Sequence, residues 1–394
     1  MGMTLPPYGY HSGAASMKIT EVEPLVVATR SGTYLLVVVH TDEGLHGLGE
    51  VGMRSRPRAV LGALADFAEL ATGTQAHRIE ELSQLFLRGG FFPAVGDVAA
   101  AAAAIDLALW DLRGKALGVP VHELLGGAVR DHVPAYVHLP GHSLPEYLDH
   151  AHGLVERGWR HLRIGLQPPT DPVLEPRATL RANVEAFHGL REALGDDVEL
   201  LVDVHTRLDP AEATVFCREI EPARPYFVED PLRSESMDAY RMLRARTGVP
   251  LAAGEQLTTA WEFRPLLEGD LVDHARIDLA NTGLTQGRKI AAIAEAHHIQ
   301  VTTHNPLGPV CTAASAHFNL TLPNLGVQEQ THPHGWDDDP LVVAGAIVDG
   351  GSVRPSGLPG FGVDLDLEAA RRAATGELGP PPRYRRPDGS LTNW

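Results

Sequence analysis

The sequence predicts an α/β protein, a closed parallel barrel of the (β/α)8 type preceded by a smaller α+β unit. Three observations predict it. From residue 133 onward, eight short apolar runs alternate with helical stretches, the pattern of strands joined by crossover helices. Three of these runs end in an acid: Asp203, Glu229 and Glu255, spaced 26 residues apart from 203 to 229 and again from 229 to 255. One strand, one helix and two loops need roughly 25–45 residues, so acids at this spacing fall at the same end of neighbouring parallel strands. Before residue 130 the order is different, with strands first and helices after, which marks a separate α+β layer.

Taken in order, residues 1–16 read as a disordered extension without the basic start and apolar core of a signal peptide. Residues 17–130 form the α+β unit. Strands at 19–27 and 34–40 are joined by a turn around Arg30, Ser31 and Gly32, and a shorter strand follows at 45–50. Helical periodicity covers 58–72 and 77–87. Asp97 is a suitable N-cap for a helix over 98–117, which Gly118 and Pro120 stop. The barrel, residues 131–360, takes its strands from the runs at 133–139, 161–166, 199–205, 225–231, 250–255, 274–280, 299–305 and 325–330. An open doubly wound sheet is the alternative, but no glycine-rich G-x-G-x-x-G turn follows the first run. Prolines 168, 169 and 172 lengthen the loop after the second strand. Residues 361–394 are expected to pack back on the first unit.

Composition narrows the function. Across 394 residues the formal charge is −17, which argues against nucleic acid and anionic membrane surfaces as partners. Two cysteines, Cys217 and Cys311, cannot build a disulfide framework or a cysteine zinc site, and suit a reducing cytosol. The longest low-polarity run, 98–110, contains Asp106 and is too short to span a bilayer. Three carboxylates brought together at one barrel end repel one another unless a hard cation lies between them, and an all-oxygen set points to Mg²⁺.

The stretch Ala103-Ala104-Ile105-Asp106-Leu107-Ala108-Leu109-Trp110-Asp111, continuing to Pro120, resembles the enolase superfamily, mandelate racemase subgroup. So do Glu229-Asp230-Pro231, Gly254-Glu255 and the tail around Pro359-Gly360-Phe361-Gly362. The resemblance spans residues 17–394. It implies a (β/α)7β barrel with a capping domain, one Mg²⁺ on Asp203, Glu229 and Glu255, and removal of a proton next to a carboxylate. Such Mg²⁺-stabilised enediolate chemistry is a known pattern of the superfamily.

Within that resemblance, Asp203-Val204-His205-Thr206-Arg207 is similar to acid-sugar dehydratases of the galactonate and mannonate kind, in which the histidine is the general acid for loss of the 3-hydroxyl. His205 follows Asp203 by two residues, so a strand would present both on one side. The alternative is a histidine that only orients a carboxylate. Arg207 is expected to bind substrate hydroxyls or to pair with an acid. The resemblance pairs Asp278 with His304 as a dyad, with His304 the base at C2. It assigns Glu329 a hydrogen bond to the substrate carboxylate, which requires Glu329 or its partner to be protonated. A Lys-x-Lys pair usual in racemases is replaced by Arg163 and Gly165. An arginine stays protonated and makes a poor base, so Arg163 suits a clamp on a hydroxyl or carboxylate. The loop at 52–57 and the stretch at 89–92 are candidates to close over the barrel mouth.

The expectation is a Mg²⁺-dependent dehydratase turning a sugar acid into a 2-keto-3-deoxy acid. A sugar-acid epimerase or a weakly active sugar-acid-binding regulator are the alternatives. Cysteine usage and charge imply a cytoplasmic protein with no nucleic-acid or membrane partner, and the resemblance implies a homo-oligomer, dimer or octamer.

Overall fold

The computed structural model describes residues 16–29, 32–52, 56–166, 173–336, 338–375 and 383–393. The extension at 1–15, positions 30 and 31 of the first turn, residues 53–55 of the loop at 52–57 and the proline-rich loop at 167–172 lie outside the described residues.

The first layer is an antiparallel meander of β1 (Ile19–Thr29), β2 (Gly32–Thr41) and β3 (His46–Glu50). Alternation along β2 and β3 sends one set of side chains to each face, and three helices cover the sheet: α1 (Pro57–Ala71), α2 (Ile79–Arg88) and α3 (Asp97–Leu117). Alanine dominates the buried positions of α3, so the sheet approaches the helix closely. A Cβ at Gly49 would lie 1.9 Å from the Ala104 carbonyl. Asp97 does not cap α3. The helix starts one residue earlier than expected, behind Gly96 at φ 57°, and Asp97 pairs instead with Arg56 at 3.0 Å. Gly118 ends the helix in the left-handed conformation at φ 69°. A short helix, α4 (Val121–Leu124), leads to the barrel.

Eight parallel strands close the barrel: β4 (Val133–His138), β5 (His161–Gly165), β6 (Glu199–Asp203), β7 (Phe227–Glu229), β8 (Leu251–Ala253), β9 (His274–Ile277), β10 (Gln300–Thr303) and β11 (Leu325–Gln330), with β11 pairing back on β4. Each falls inside one of the eight apolar runs. Seven helices cross between them: α5 (Leu144–Glu156), α6 (Pro176–Leu194), α7 (Pro210–Ile220), α8 (Met237–Arg244), α9 (Ala260–Glu268), α10 (Leu279–Ala296) and α11 (Pro309–Leu320). Among the described residues no helix crosses back from β11 to the barrel wall, and the next helix is Leu367–Arg372. A hairpin of β12 (Ile347–Asp349) and β13 (Ser352–Arg354) lies antiparallel against the start of β4 instead. The period of two along each strand fills the barrel interior in layers. Tyr136, Leu201, Phe227, Ala252 and Val327 form an apolar layer. Two residues on, His138, Asp203, Glu229 and Glu329 stand above it at the C-terminal end.

The C-terminal segment divides. Residues 363–375 lie on the capping domain, where Arg371 pairs with Glu23 at 2.8 Å and Thr375 N donates to Val26 O. The described tail, 383–393, lies on the barrel and not on the first unit as expected: Arg386 pairs with Asp209 at 3.2 Å and Leu174 N donates to Arg385 O. Among the described residues no helix is long and apolar enough to cross a membrane.

Two barrel histidines are buried neutral. Burial lowers His274 to about 4 despite Asp273 beside it, and lowers His317 to about 3, with His122 adding to the effect. Both folded values lie below the unfolded value of about 6.5, so unfolding takes up protons once the pH falls beneath it. The stability that these neutral histidines contribute should therefore be lost from about pH 6.5 to pH 4, so His274→Gln should make the thermal midpoint less dependent on pH over that window; a pH profile left unchanged by the substitution, read by circular dichroism, would contradict the assignment.

Candidate active site

Asp203 and Glu229 end adjacent strands in register, so their carboxylates are neighbours across one inter-strand spacing. Glu255 arrives differently. Glu229 is level with Ala252, and β8 ends at Ala253, so Glu255 lies beyond the strand. Gly254 makes the turn at φ 136°, and a Cβ there would lie 2.5 Å from the Phe263 ring.

The three acids are not gathered on one point. Among the described residues no group of three His, Cys, Asp or Glu side chains forms a ready metal cage. Each acid is turned to a cation of the protein. Arg163 Nη2 donates to Asp203 Oδ2. Arg276 Nε donates to Glu229 Oε1 at 2.6 Å. His304 Nε2 lies 3.4 Å from Glu255 Oε2. The physical reason is the one that argues for a metal: carboxylates buried together need positive charge, and here arginine and histidine provide it. The donor set still fits a hard cation. Glu255 Oε2 is buried with no hydrogen-bond partner, and burial together with Asp230 and Glu229 raises its carboxyl well above the ordinary range, against the opposing pull of His304. Asp230 itself is pushed up to about 8 by burial and by Glu229.

Arg163 faces the interior. It is level with Leu201 of the apolar layer and its guanidinium reaches up to Asp203, with His205 Nε2 3.3 Å away. His205 also lies beside Asp203, Nε2 to Oδ2 2.8 Å, but strand alternation is not the cause. The strand ends at Asp203, and His205 and Thr206 are left-handed at φ 50° and 58°. Such residues cost on the order of 1–2 kcal/mol each and persist where surrounding structure holds them. Here His205 N donates to Asp203 Oδ1 and Thr206 N to Asp230 O, both at 2.8 Å. Burial, with Arg163 and Arg207 adding to it, pushes the His205 imidazole well down. Arg207 is buried; it donates to Leu166 O and lies under the Tyr384 ring, 4.5 Å from its centroid.

On the other wall, His304 Nδ1 is 2.8 Å from Asp278 Oδ2. Burial would lower this imidazole, but the carboxylates of Glu255, Glu329 and Asp278 outweigh it and raise it to about 9. His205 follows the third barrel strand and His304 the seventh, four strands apart in a ring of eight, so they stand on opposite walls.

Glu329 is held ionised, well below the usual range, because His304, Arg276 and His138 outweigh its burial. Its oxygens accept from His138 Nε2 at 2.6 Å, Arg276 Nη2 at 2.6 Å and Asn305 N at 2.9 Å. An ionised Glu329 accepts hydrogen bonds and has no proton of its own to offer. Three residues here escaped the sequence reading: His138, Arg276 and Tyr136, whose hydroxyl accepts from Arg276 at 2.8 Å. The signal was available, since Arg276 precedes Asp278 by two and His138 is the last residue but one of the first run. A cavity of about 500 Å³ opens beside this cluster, lined by His138, His142, His150, Arg157, Arg163 and Thr331; no carboxylate is among its described lining residues.

In the stretch at 89–92, Phe91 and Phe92 are 95% and 83% exposed; Gly90 and Phe91 line a cleft with Thr259, Trp261 and Glu262 of the barrel, Arg88 lies over the Trp261 ring, and Gly96 N donates to Thr258 Oγ1.

The Enolase C-terminal domain-like family matches residues 146–370, and the Mandelate racemase / muconate lactonizing enzyme N-terminal domain matches residues 15–126. The chain is 34% identical to a D-mannonate dehydratase of Sphingomonas over 95% of its own length and 99% of the relative's. It is 34% identical to a D-galactonate dehydratase of Ralstonia nicotianae, covering 96% and 100%. Among solved structures, an enolase from Pantoea ananatis with bound D-gluconate and Mg superposes with a TM-score of 0.87 at 30% identity, covering 96% of this chain and 100% of that one. An enolase from Agrobacterium radiobacter bound to Na and L-malate gives 0.88 at 29%, covering 95% and 99%.

Arg276 is fully buried between Glu229 and Glu329. Arg276→Met should lower the unfolding free energy by about 3–5 kcal/mol, since two buried carboxylates lose their counter-charge. Adding Glu229→Gln should recover part of the loss; denaturant titration of the single and double variants checks both.

Proposed function

The chain belongs to the mandelate racemase / muconate lactonizing enzyme family of the enolase superfamily, and from that premise we propose that it is a Mg²⁺-dependent dehydratase of a sugar acid. The observation that carries the reading is the pair of histidines on opposite walls, one backed by a carboxylate and the other beside Asp203. A substrate held between them meets a base on one face and an acid on the other, the arrangement for removing a proton and a hydroxyl from neighbouring carbons.

His304 takes the C2 proton on its Nε2, while Asp278 holds Nδ1–H and so fixes the tautomer. The electron pair moves into the substrate carboxylate as an enediolate. Its collapse expels the 3-hydroxyl, which leaves as water with a proton from His205, and the enol tautomerises to a 2-keto-3-deoxy acid. A hard dication held by Asp203, Glu229 and Glu255 would neutralise the substrate carboxylate and relieve the negative charge that raises His304. Arg163 is the residue that would move: swinging from Asp203 to a substrate oxygen would leave that carboxylate to the cation and clear the space beside His205 for the 3-hydroxyl. Glu329, His138 and Arg276 form a rigid network beneath the substrate's acid end. The acid-free cavity beside them suits an anionic polyol, and the dehydratases of mannonate and galactonate among the relatives support a sugar acid. Arg163 in place of a second base disfavours epimerisation through the same intermediate.

A screen of aldonic and aldaric acids with Mg²⁺ tests the proposal, with a semicarbazide-positive keto acid as the expected product; a stereoisomer instead would overturn dehydration. For the acid that reacts, His304→Asn should abolish hydrogen exchange at C2. His205→Asn should retain exchange in ²H₂O while water loss falls by on the order of 10²-fold or more. Normal turnover by that variant would remove His205 as the acid.

A further inference from the structure

The two turns that carry the Asp278–His304 pair are both held by the capping domain. Glu50, the last residue of β3, is fully buried and reaches the barrel with both oxygens. Oε1 accepts from Gly308 N at 2.6 Å and Oε2 from Cys311 N at 3.0 Å. These amides open α11, whose first helical residue, Pro309, has no N–H to offer. A carboxylate at that end also meets the positive pole of the helix. Gly308 admits it, because a Cβ there would lie 2.6 Å from Oε1. Gly308 is four residues beyond His304, and the chain between is tied at Asn305, whose N donates to Glu329 and whose Nδ2 donates to Thr312 Oγ1.

The partner turn is held the same way. Gly52 N donates to Ala280 O at 3.2 Å. A Cβ at Gly52 would lie 2.3 Å from Asn281 Oδ1, so the end of β3 presses on Asn281. Asn281 Nδ2 in turn donates to Asp278 Oδ2 at 2.8 Å, the oxygen that His304 Nδ1 reaches. Beyond it α10 is kinked at Gly283, φ 71°, and restarts where Thr285 N donates to buried Asp106 Oδ2 of α3 at 2.9 Å.

We propose that Glu50 is a positioning residue for the Asp278–His304 pair, setting their mutual geometry from the capping domain through the turn between His304 and α11, with Gly52 and Asp106 holding the turn after Asp278. Its catalytic meaning rests on the dehydratase reading. Near-attack geometry is steep, and a displacement of about 1 Å can cost on the order of 10²-fold in rate. Asp111 is the control. It is an equally buried carboxylate of the capping domain, but it accepts from Leu48 N and Phe361 N and touches neither turn.

The test compares Glu50→Gln with Asp111→Asn in the full chain, by thermal midpoint, by kcat and KM on the sugar acid the wild type consumes, and by the downfield proton resonance of His304 Nδ1–H, identified by its loss in His304→Asn. Glu50→Gln should lower kcat on the order of 10-fold with KM changed less than about twofold, and should shift or broaden the resonance. Asp111→Asn should lower the midpoint and leave kcat and the resonance as in the wild type. An unchanged resonance and kcat in Glu50→Gln, or both effects reproduced by Asp111→Asn, would overturn the proposal. Should Glu50→Gln not fold, Gly52→Ala displaces Asn281 and is read by the same signals. If the wild type consumes no sugar acid, the functional reading fails, yet the resonance still decides whether Glu50 positions the pair.

Discussion

Asp203, Glu229, Asp278 and Glu329 are buried together at one end of a closed barrel, and a charge so placed survives only beside its opposite. Much of the site follows from that constraint. Arg276 reaches up from the apolar layer to satisfy two acids and a tyrosine at once. Arg163 rises from the same level to cover Asp203. His304 is drawn to its charged form by three carboxylates, while His205, beside two arginines, is pushed the other way. Two imidazoles of one chemistry are thus driven apart by their surroundings, in the sense opposite to the proposed roles, so the charges that a cation and a substrate would bring have to reverse that order before His304 can accept a proton and His205 give one.

The same constraint separates permanent from exchangeable charge. Arg276 is enclosed on every side, and its bonds to Glu229 and Glu329 belong to the fold. Arg163 ends at the rim of the cavity, with Asp203 and His205 as its partners. A cation and an anionic substrate arriving together would offer Asp203 and Arg163 new partners of opposite sign, so binding would exchange one ion pair for two without stranding either charge.

The capping domain belongs to this account as much as the barrel does. Its sheet ends in a carboxylate that caps one barrel helix, and its longest helix offers another to the kink in a second. Glycines at 283 and 308 leave room for both. A domain that only covered the mouth would not need buried charges set into the barrel's own turns.

The barrel strands, the closure of α3 at Gly118 and the acids at 203, 229 and 255 were legible in the sequence, because period two, glycine caps and a regular spacing are local patterns. Where the reading failed, the cause was local geometry that the pattern does not encode: a strand ending at Asp203 with a left-handed turn after it, or a helix starting one residue early at Asp97. The pairing of charges was beyond reach for another reason. Glu229 and Arg276 are 47 residues apart, Tyr136 and Arg276 140, and Glu50 and Gly308 258. Sequence alone determined which strands would carry acids to one end of a barrel. Only the tertiary structure decided which cation each would face, because that choice depends on side chains from distant strands meeting in a space too dry to leave any charge unanswered.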